Sequence, residues 1–255
     1  MVRAIIVTGL AGSGKTMLSY SLLEWYRNIK QDVAILNLDP GVLNLPYKPD
    51  IDVREFINIW DLMEKHSIGP NSSLILSMDL LLEYVEKMNS IIRSINPKIL
   101  IVDTPGQMEV FAYRLSGKFF VDLLDAEEKL LLFVIDGVFA SDARNLISNL
   151  LVCASVKLRF ELPLLLVLNK LDLLPEDKEK RLQKWLRSSK RLYEELASHY
   201  NDDEAMYLVK MFRLMKSYHL FTNYIPVSAV TLDNMDLLIQ AISRVLFRGD
   251  EYLEL

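Results

Sequence analysis

The sequence predicts an α/β fold: an open, mostly parallel, doubly wound sheet with helical insertions. Two patterns predict it. Short, continuous apolar runs alternate with stretches of helical period, as strands buried on both faces and their crossover helices require. The apolar runs also end in polar residues, at Thr8, Asp39, Asp103, Asn169 and Ser228. Ligands of open α/β sheets bind beyond the carboxyl ends of the strands, so the polar chemistry falls where this architecture uses it.

Strands are expected at 4–8, 33–38, 98–103, 129–136, 163–169 and 224–227. Each is an apolar run rich in Ile, Val or Leu and too short for an amphipathic helix. Helices are expected between them, at 15–30, 52–66, 73–95, 107–124, 139–160, 176–200, 203–219 and 232–247. Right-handed crossovers then wind the helices onto both faces. The chain reads as one domain over 1–255, with helical insertions at about 40–97 and 176–219. The first insertion is entered through the irregular run Leu43-Asn44-Leu45-Pro46-Tyr47-Lys48-Pro49.

Composition narrows the function classes. The chain has 255 residues, 51 % of them hydrophobic, enough to bury a full core. With 29 basic and 34 acidic residues the net charge is −5, which speaks against broad electrostatic binding of nucleic acid. The basic residues from Lys178 to Arg191 alternate with acids at helical spacing, as on a solvated helix face. Cys153 is the single cysteine, so neither a disulfide framework nor a C-x-x-C metal site is available. Within its apolar run it reads as a small core residue. His66, His199 and His219 are far apart and form no ligand pattern. The N-terminus enters a strand at once, leaving no room for a signal peptide, and no apolar run approaches a membrane span. A soluble cytoplasmic protein is expected.

Gly9-Leu10-Ala11-Gly12-Ser13-Gly14-Lys15-Thr16 follows the first strand with the spacing of a phosphate-binding loop. Backbone N–H groups around Gly12, Ser13 and Gly14 curl about a polyphosphate, Lys15 supplies an ammonium to it, and the Thr16 hydroxyl ligates the accompanying Mg²⁺. The helix that follows points its positive end at the same anion. A glycine-rich strand-to-helix turn alone does not account for Lys and Thr at the last two positions.

The third strand ends in Asp103-Thr104-Pro105-Gly106-Gln107. Asp103 can hold Mg²⁺ through a water, Gly106 lets a backbone N–H approach a γ-phosphate, and the Gln107 amide can orient an attacking water because it both donates and accepts. Asn37-Leu38-Asp39-Pro40 closes the second strand. Asp39 belongs near Mg²⁺ or the attacking water, or else to an ordinary Asp-Pro turn. Asn169-Lys170-Leu171-Asp172 is the base reader. The Asp172 carboxylate can accept from guanine N1–H and the 2-amino group, Asn169 can reach the opposite edge, and the Lys170 stem can lie along the ring. Ser228-Ala229 fits a loop that offers a backbone N–H to guanine O6. Asp52 reads as an N-cap, with Asp52 or Arg54 as alternative phosphate contacts. Gly69-Pro70-Asn71 reads locally as a turn between two helices.

Taken in order, Gly-Leu-Ala-Gly-Ser-Gly-Lys-Thr, Asn-Leu-Asp-Pro, Asp-Val-Arg-Glu, Gly-Pro-Asn, Asp-Thr-Pro-Gly-Gln and Asn-Lys-Leu-Asp resemble the GPN-loop GTPases over essentially the whole chain. The resemblance implies a homodimeric P-loop GTPase of the signal-recognition and MinD-like class, using GTP/GDP and Mg²⁺. It implies that Gly69, Pro70 and Asn71 reach the partner subunit's nucleotide. Asp39, Asp103 and Gln107 match positions that arrange Mg²⁺ and the attacking water. It further implies conformational switching and, from eukaryotic relatives, a role in RNA polymerase assembly. Two departures stand out. Ser72-Ser73 follow Asn71 where many relatives carry glycines, and the chain stops at Glu254-Leu255 without a long tail, as in a minimal, archaeal-type member.

Two other classes compete. A P-loop phosphotransferase needs a base for its acceptor rather than a water-positioning amide, and it has no use for Asn169 and Asp172. A non-hydrolysing, nucleotide-gated scaffold has no use for Lys15, Thr16, Asp103 and Gln107 together. A metal-cluster carrier is excluded by the lone cysteine.

Overall fold

A computed structural model describes residues 1–108, 110–219 and 224–247. Its sheet has seven strands: β1 (Arg3–Gly9), β2 (Val33–Asn37), β3 (Ile51–Asp52), β4 (Ile99–Asp103), β5 (Glu128–Asp136), β6 (Leu164–Asn169) and β7 (Tyr224–Pro226). They lie in the order β3-β2-β4-β1-β5-β6-β7, and every pairing is parallel. The helices are α1 (Lys15–Asn28), α2 (Ile59–His66), α3 (Pro70–Ile95), α4 (Leu115–Leu123), α5 (Ala143–Phe160), α6 (Glu176–Arg187), α7 (Ser189–Ala197), α8 (Asp202–Ser217) and α9 (Met235–Leu246).

Alternation along β1 divides the core between the two faces. Ile5 and Val7 pack with Leu18, Leu22 and Tyr26 of α1 and with Leu238, Ile239 and Ile242 of α9. Ala4 and Ile6 pack with Leu81 and Met88 of α3, Phe120 of α4 and Leu150 of α5. Cys153 is fully buried in that second layer, while His66, His199 and His219 are exposed. The charged run from 178 to 191 lies on α6 and α7, with Arg181 paired to Asp177 and Arg191 to Glu194.

Several boundaries differ from expectation, each for a local reason. Strand β3 is two residues long, too short to leave a periodic signal, and pairs Asp52 with Asn37. Residues 52–66 are not one helix. The Asp52 side chain caps a single 3₁₀ turn, Val53–Glu55, and Asn58 then caps α2 by accepting from Trp60 N–H. Helix α3 starts at Pro70 rather than at 73, because proline suits a first helical position where no N–H is needed. The expected helix 107–124, of which Glu109 lies outside the described residues, is helical only from Leu115. Met108, Val110, Phe111 and Ala112 are all buried, which turns achieve and one helix face does not. The expected helix 176–200 breaks at Ser188, whose extended backbone and side chain cap α7.

Candidate nucleotide site

The strand ends bring the polar motifs together on either side of β1. Register aligns Val7 with Asp103 and Asp103 with Asn37 on one side; Asp136 aligns with Asn169 on the other. The phosphate loop leaves β1 between them. Its last glycine, Gly14, has φ +89 and begins α1, and a Cβ there would stand 2.5 Å from Asn169 Nδ2. Only glycine meets both conditions. No acidic residue occupies the first turn of α1, so its N–H groups and dipole favour an anion.

Lys15 is buried, and its Nζ donates to the carbonyl oxygens of Gly9 (3.0 Å), Leu10 (3.0 Å) and Gly106 (3.4 Å). Burial pushes the ammonium down to about 8, opposed by the negative charges of Asp103 and Asp39. A polyphosphate beside it would restore the ordinary value. The Gly106 contact ties the Asp103–Gln107 loop to the phosphate loop, and Thr104 adds a second tie by donating to Val7 O at 2.8 Å.

Asp103 is buried, and desolvation pushes its carboxyl up to about 6 despite the Tyr47 hydroxyl bonded to it, the adjacent Thr16 hydroxyl and the charge of Lys15. Tyr47 Oη donates to Asp103 Oδ2 at 2.7 Å. Asp103 Oδ1 is buried without a partner, and so is Ser13 Oγ in the phosphate loop. An orphaned carboxylate oxygen is costly unless a cation or its water takes it up. Together with the adjacent Thr16 hydroxyl, this donor set fits a hard divalent cation. Among the described residues no group of three or more His, Cys, Asp or Glu could hold a metal alone. A P-loop Mg²⁺, which shares its ligands with phosphate oxygens and water, requires no such cluster.

Asp39 lies close enough for its charge to act on Lys15 and Asp103. Its Oδ1 also closes the turn by accepting from Gly41 N–H at 2.9 Å, so the Asp-Pro turn and the site share this residue. Asp52 and Arg54 have internal partners. Arg54 grips the Asp52 carboxylate with Nε and Nη2 and donates through Nη1 to Val42 O, and Asn37 Nδ2 donates to Asp52 Oδ1. The pair anchors the chain after Asp39. Gln107 is exposed, directly after the bend at Gly106. Gly69, Pro70 and Asn71 are exposed as well, with Gly69 as the helix cap and Pro70 and Asn71 in the first turn of α3. The tripeptide is therefore a helix start rather than a free loop.

The residues expected to read the base converge on the other side. Asn169 Nδ2 donates to Ser13 O at 3.0 Å, and its Oδ1 accepts from Ala229 N–H at 3.0 Å. The buried Asn169 amide thus fastens the phosphate loop to the Ser228-Ala229 loop. One backbone N–H of the loop expected to meet guanine O6, that of Ala229, is taken by Asn169 in this structure, and Asn169 keeps a second Nδ2 hydrogen for a ligand. Lys170 has φ +67 and pairs with Asp136 at 2.7 Å. Ser228 Oγ donates to Asp172 Oδ1 at 2.6 Å and accepts from Thr231 N–H. Asp172 is exposed, with its carboxylate held by a buried serine. Sequence reasoning did not find Tyr47, Asn37 or Asp136 as supports, since each acts through a contact distant in sequence.

A family model described as a conserved hypothetical ATP binding protein matches residues 7–247. GPN-loop GTPase 1 of Schizosaccharomyces pombe is 31 % identical over 266 residues, covering 98 % of this chain and 71 % of that protein. The chain belongs to the GPN-loop GTPase family. GPN-loop GTPase 3 of Dictyostelium discoideum is 27 % identical over 250 residues, covering 96 % of this chain and 87 % of that one. Among solved structures, a GTPase of Pyrococcus abyssi in its apo form superposes with a TM-score of 0.84 at 28 % identity, covering 95 % of this chain and 97 % of that one. The protein is a GTPase that binds GTP and GDP. Although the family description speaks of ATP, a carboxylate at Asp172 has two donors to meet on guanine and no such pair on adenine. No helix among the described residues is long and apolar enough to cross a membrane.

Proposed function

We propose that this GPN-loop GTPase works as a Mg²⁺-dependent homodimeric switch in the cytoplasm, with each hydrolytic site completed by Asn71 of the partner subunit. The observation that carries this reading is Gly69. It has φ −78 and nothing within 4 Å of where a Cβ would stand, so within the subunit only its place as the cap of α3 favours glycine. The open space beside it suits close approach by something outside the chain. A two-fold dimer supplies it symmetrically, since the patch each subunit offers is also the patch it receives.

In this reading the amides of Gly12, Ser13 and Gly14 cradle the β- and γ-phosphates, and Lys15 exchanges its carbonyl partners for phosphate oxygens. Thr16 and Asp103, with Asp39 nearby, would hold Mg²⁺, which when bound would supply positive charge against the phosphates. Gln107 aligns a water with the γ-phosphorus, and Asp39 accepts from the same water. Asp172 selects guanine, supported by Asn169, Lys170, Ser228 and Ala229. Family membership sets aside the phosphotransferase and the non-hydrolysing scaffold. The client proposed from the resemblance is a protein assembly such as RNA polymerase, and the net charge of −5 favours protein over nucleic acid as the direct partner.

Complementation tests the shared site. Asn71→Ala and Lys15→Ala are each expected to be nearly inactive. After subunit exchange about half the dimers are mixed, and each has one intact site, so roughly a quarter of wild-type turnover returns. No recovery despite exchange verified by tagged co-purification would place Asn71 in its own subunit's site or outside it.

A further inference from the structure

Between Gly41 and Asp50 the chain is largely exposed, with one exception. Tyr47 is the only residue of this stretch that is buried. It is framed by Pro46 and Pro49, which restrict the backbone on either side. The stretch is moored at both ends. Arg54 donates to Val42 O, and Asp50 Oδ2 accepts from Ile35 N–H at 2.8 Å. From these moorings a strap crosses from the end of β2 and sends one phenol under the strand ends, where its hydroxyl meets Asp103 Oδ2 at 2.7 Å. The opposite oxygen, Oδ1, is buried and unpartnered.

We infer that Tyr47 is a positioning residue for the hydrolytic site: its hydroxyl fixes one oxygen of Asp103 so that the other is presented toward Mg²⁺. This deepens the proposed function and rests on its reading of Asp103 as a Mg²⁺ residue. A carboxylate rotates about its Cβ–Cγ bond at little cost, so one occupied oxygen decides where the second points. Outer partners that orient metal-binding side chains commonly govern metal affinity by ten- to a hundredfold. The same contact makes the strap a reporter. A displacement of residues 41–50 that withdrew the phenol would free the carboxylate.

The decisive measurement is affinity for a fluorescent GDP analogue, taken on the full chain with saturating Mg²⁺ and again in EDTA. The ratio of the two isolates the metal's contribution from the nucleotide's. In Tyr47→Phe the ring still fills its place, and the ratio is expected to fall about tenfold while affinity in EDTA is retained. A structural role alone would lower the melting temperature without moving the ratio, so melting is recorded alongside. On an Asp103→Asn background, Tyr47→Phe should lower the ratio no further, because the carboxylate it orients is gone. An unchanged ratio in Tyr47→Phe, beside a wild type that responds to Mg²⁺, overturns the role of Tyr47 alone. A wild type indifferent to Mg²⁺ overturns the reading of the metal site and this role with it.

Discussion

The two ends of the nucleotide site differ in how much one chain completes. On the β6 and β7 side each motif side chain has a partner: Asn169 joins two loops, Lys170 pairs with Asp136, and Asp172 rests on Ser228. On the β4 and β2 side, Gln107 and Asn71 are exposed, and Lys15 spends its hydrogen bonds on backbone carbonyls. A recognition end gains from being rigid before the ligand arrives, because no ordering cost remains to be met on binding. A hydrolytic end gains from interactions that form only as the transition state is approached. Binding and turnover should therefore separate cleanly under mutation.

The largest expected effect lies at the finished end. Asp172→Ala removes the charged acceptor of two hydrogen bonds donated by guanine, worth about 3–6 kcal/mol together when formed. Preference for GTP over ATP should drop by about 10³-fold, read as the ratio of the two affinities. The effect should fall on guanine affinity, with ATP affinity little changed. A retained preference would show that the base is read elsewhere.

At the other end, Gln107→Ala should lower turnover by about 10²-fold and leave GDP affinity intact, since a water is positioned only on the way to the transition state. Single-turnover phosphate release against GDP binding measures both. A variant that loses affinity in parallel would mean that Gln107 contacts the nucleotide directly and the two ends are not distinct.

The same division governs what the sequence disclosed. Strands β1, β2, β4, β5 and β6 were legible because continuous apolar runs have no other use in a chain of this composition, and the motifs at their ends followed. Strand β3 was not, because Ile51–Asp52 owes its pairing to Asn37 and Leu36 rather than to its own pattern. The turns at 108 and 110–112 resemble a helix in sequence, since one-dimensional periodicity cannot distinguish residues buried on one face from residues buried all round. At the base end the four-residue motif named its members but not their division of labour. That Asn169 spends its amide on two backbones is a contact across 156 and 60 residues. Tyr47 left no signal, as a lone tyrosine in an irregular run has no period to betray it. The role expected of Asn71 came only from the resemblance, since the residue is exposed in the first turn of α3.

Two glycines sharpen the comparison further. Gly14→Ala puts a side chain at φ +89 and against the Asn169 amide, and about 1–3 kcal/mol of stability should be lost in thermal melts. Gly69→Ala meets open space at an ordinary φ, so its melt should stay within about 1 kcal/mol of wild type. Turnover should nevertheless fall, by about tenfold for a displacement of the Asn71 turn well under 1 Å. Wild-type turnover in Gly69→Ala would remove the need for close approach and with it the argument for a shared site.

The smallest effect is a titration that sets the two states of Lys15 against each other. Burial pushes its ammonium down to about 8 from an ordinary 10.5, with Asp103 and Asp39 opposing. Phosphate binds the charged form, so GDP affinity measured without Mg²⁺ should be level below pH 8, fall about twofold at pH 8 and about tenfold by pH 9. Stability of the nucleotide-free chain should move the opposite way. Between about 8 and 10.5 the unfolded chain holds more protons than the folded one, so stability rises with pH across that window, by about 1 kcal/mol from pH 7 to pH 9. Lys15→Met has no ammonium to lose and should abolish the stability change. Affinity that stays level to pH 9 would mean that the ammonium remains charged in the free site, held by Asp103 and Asp39 more strongly than its burial opposes it. In that event the hydrolytic end, like the base end, would be finished before the nucleotide arrives.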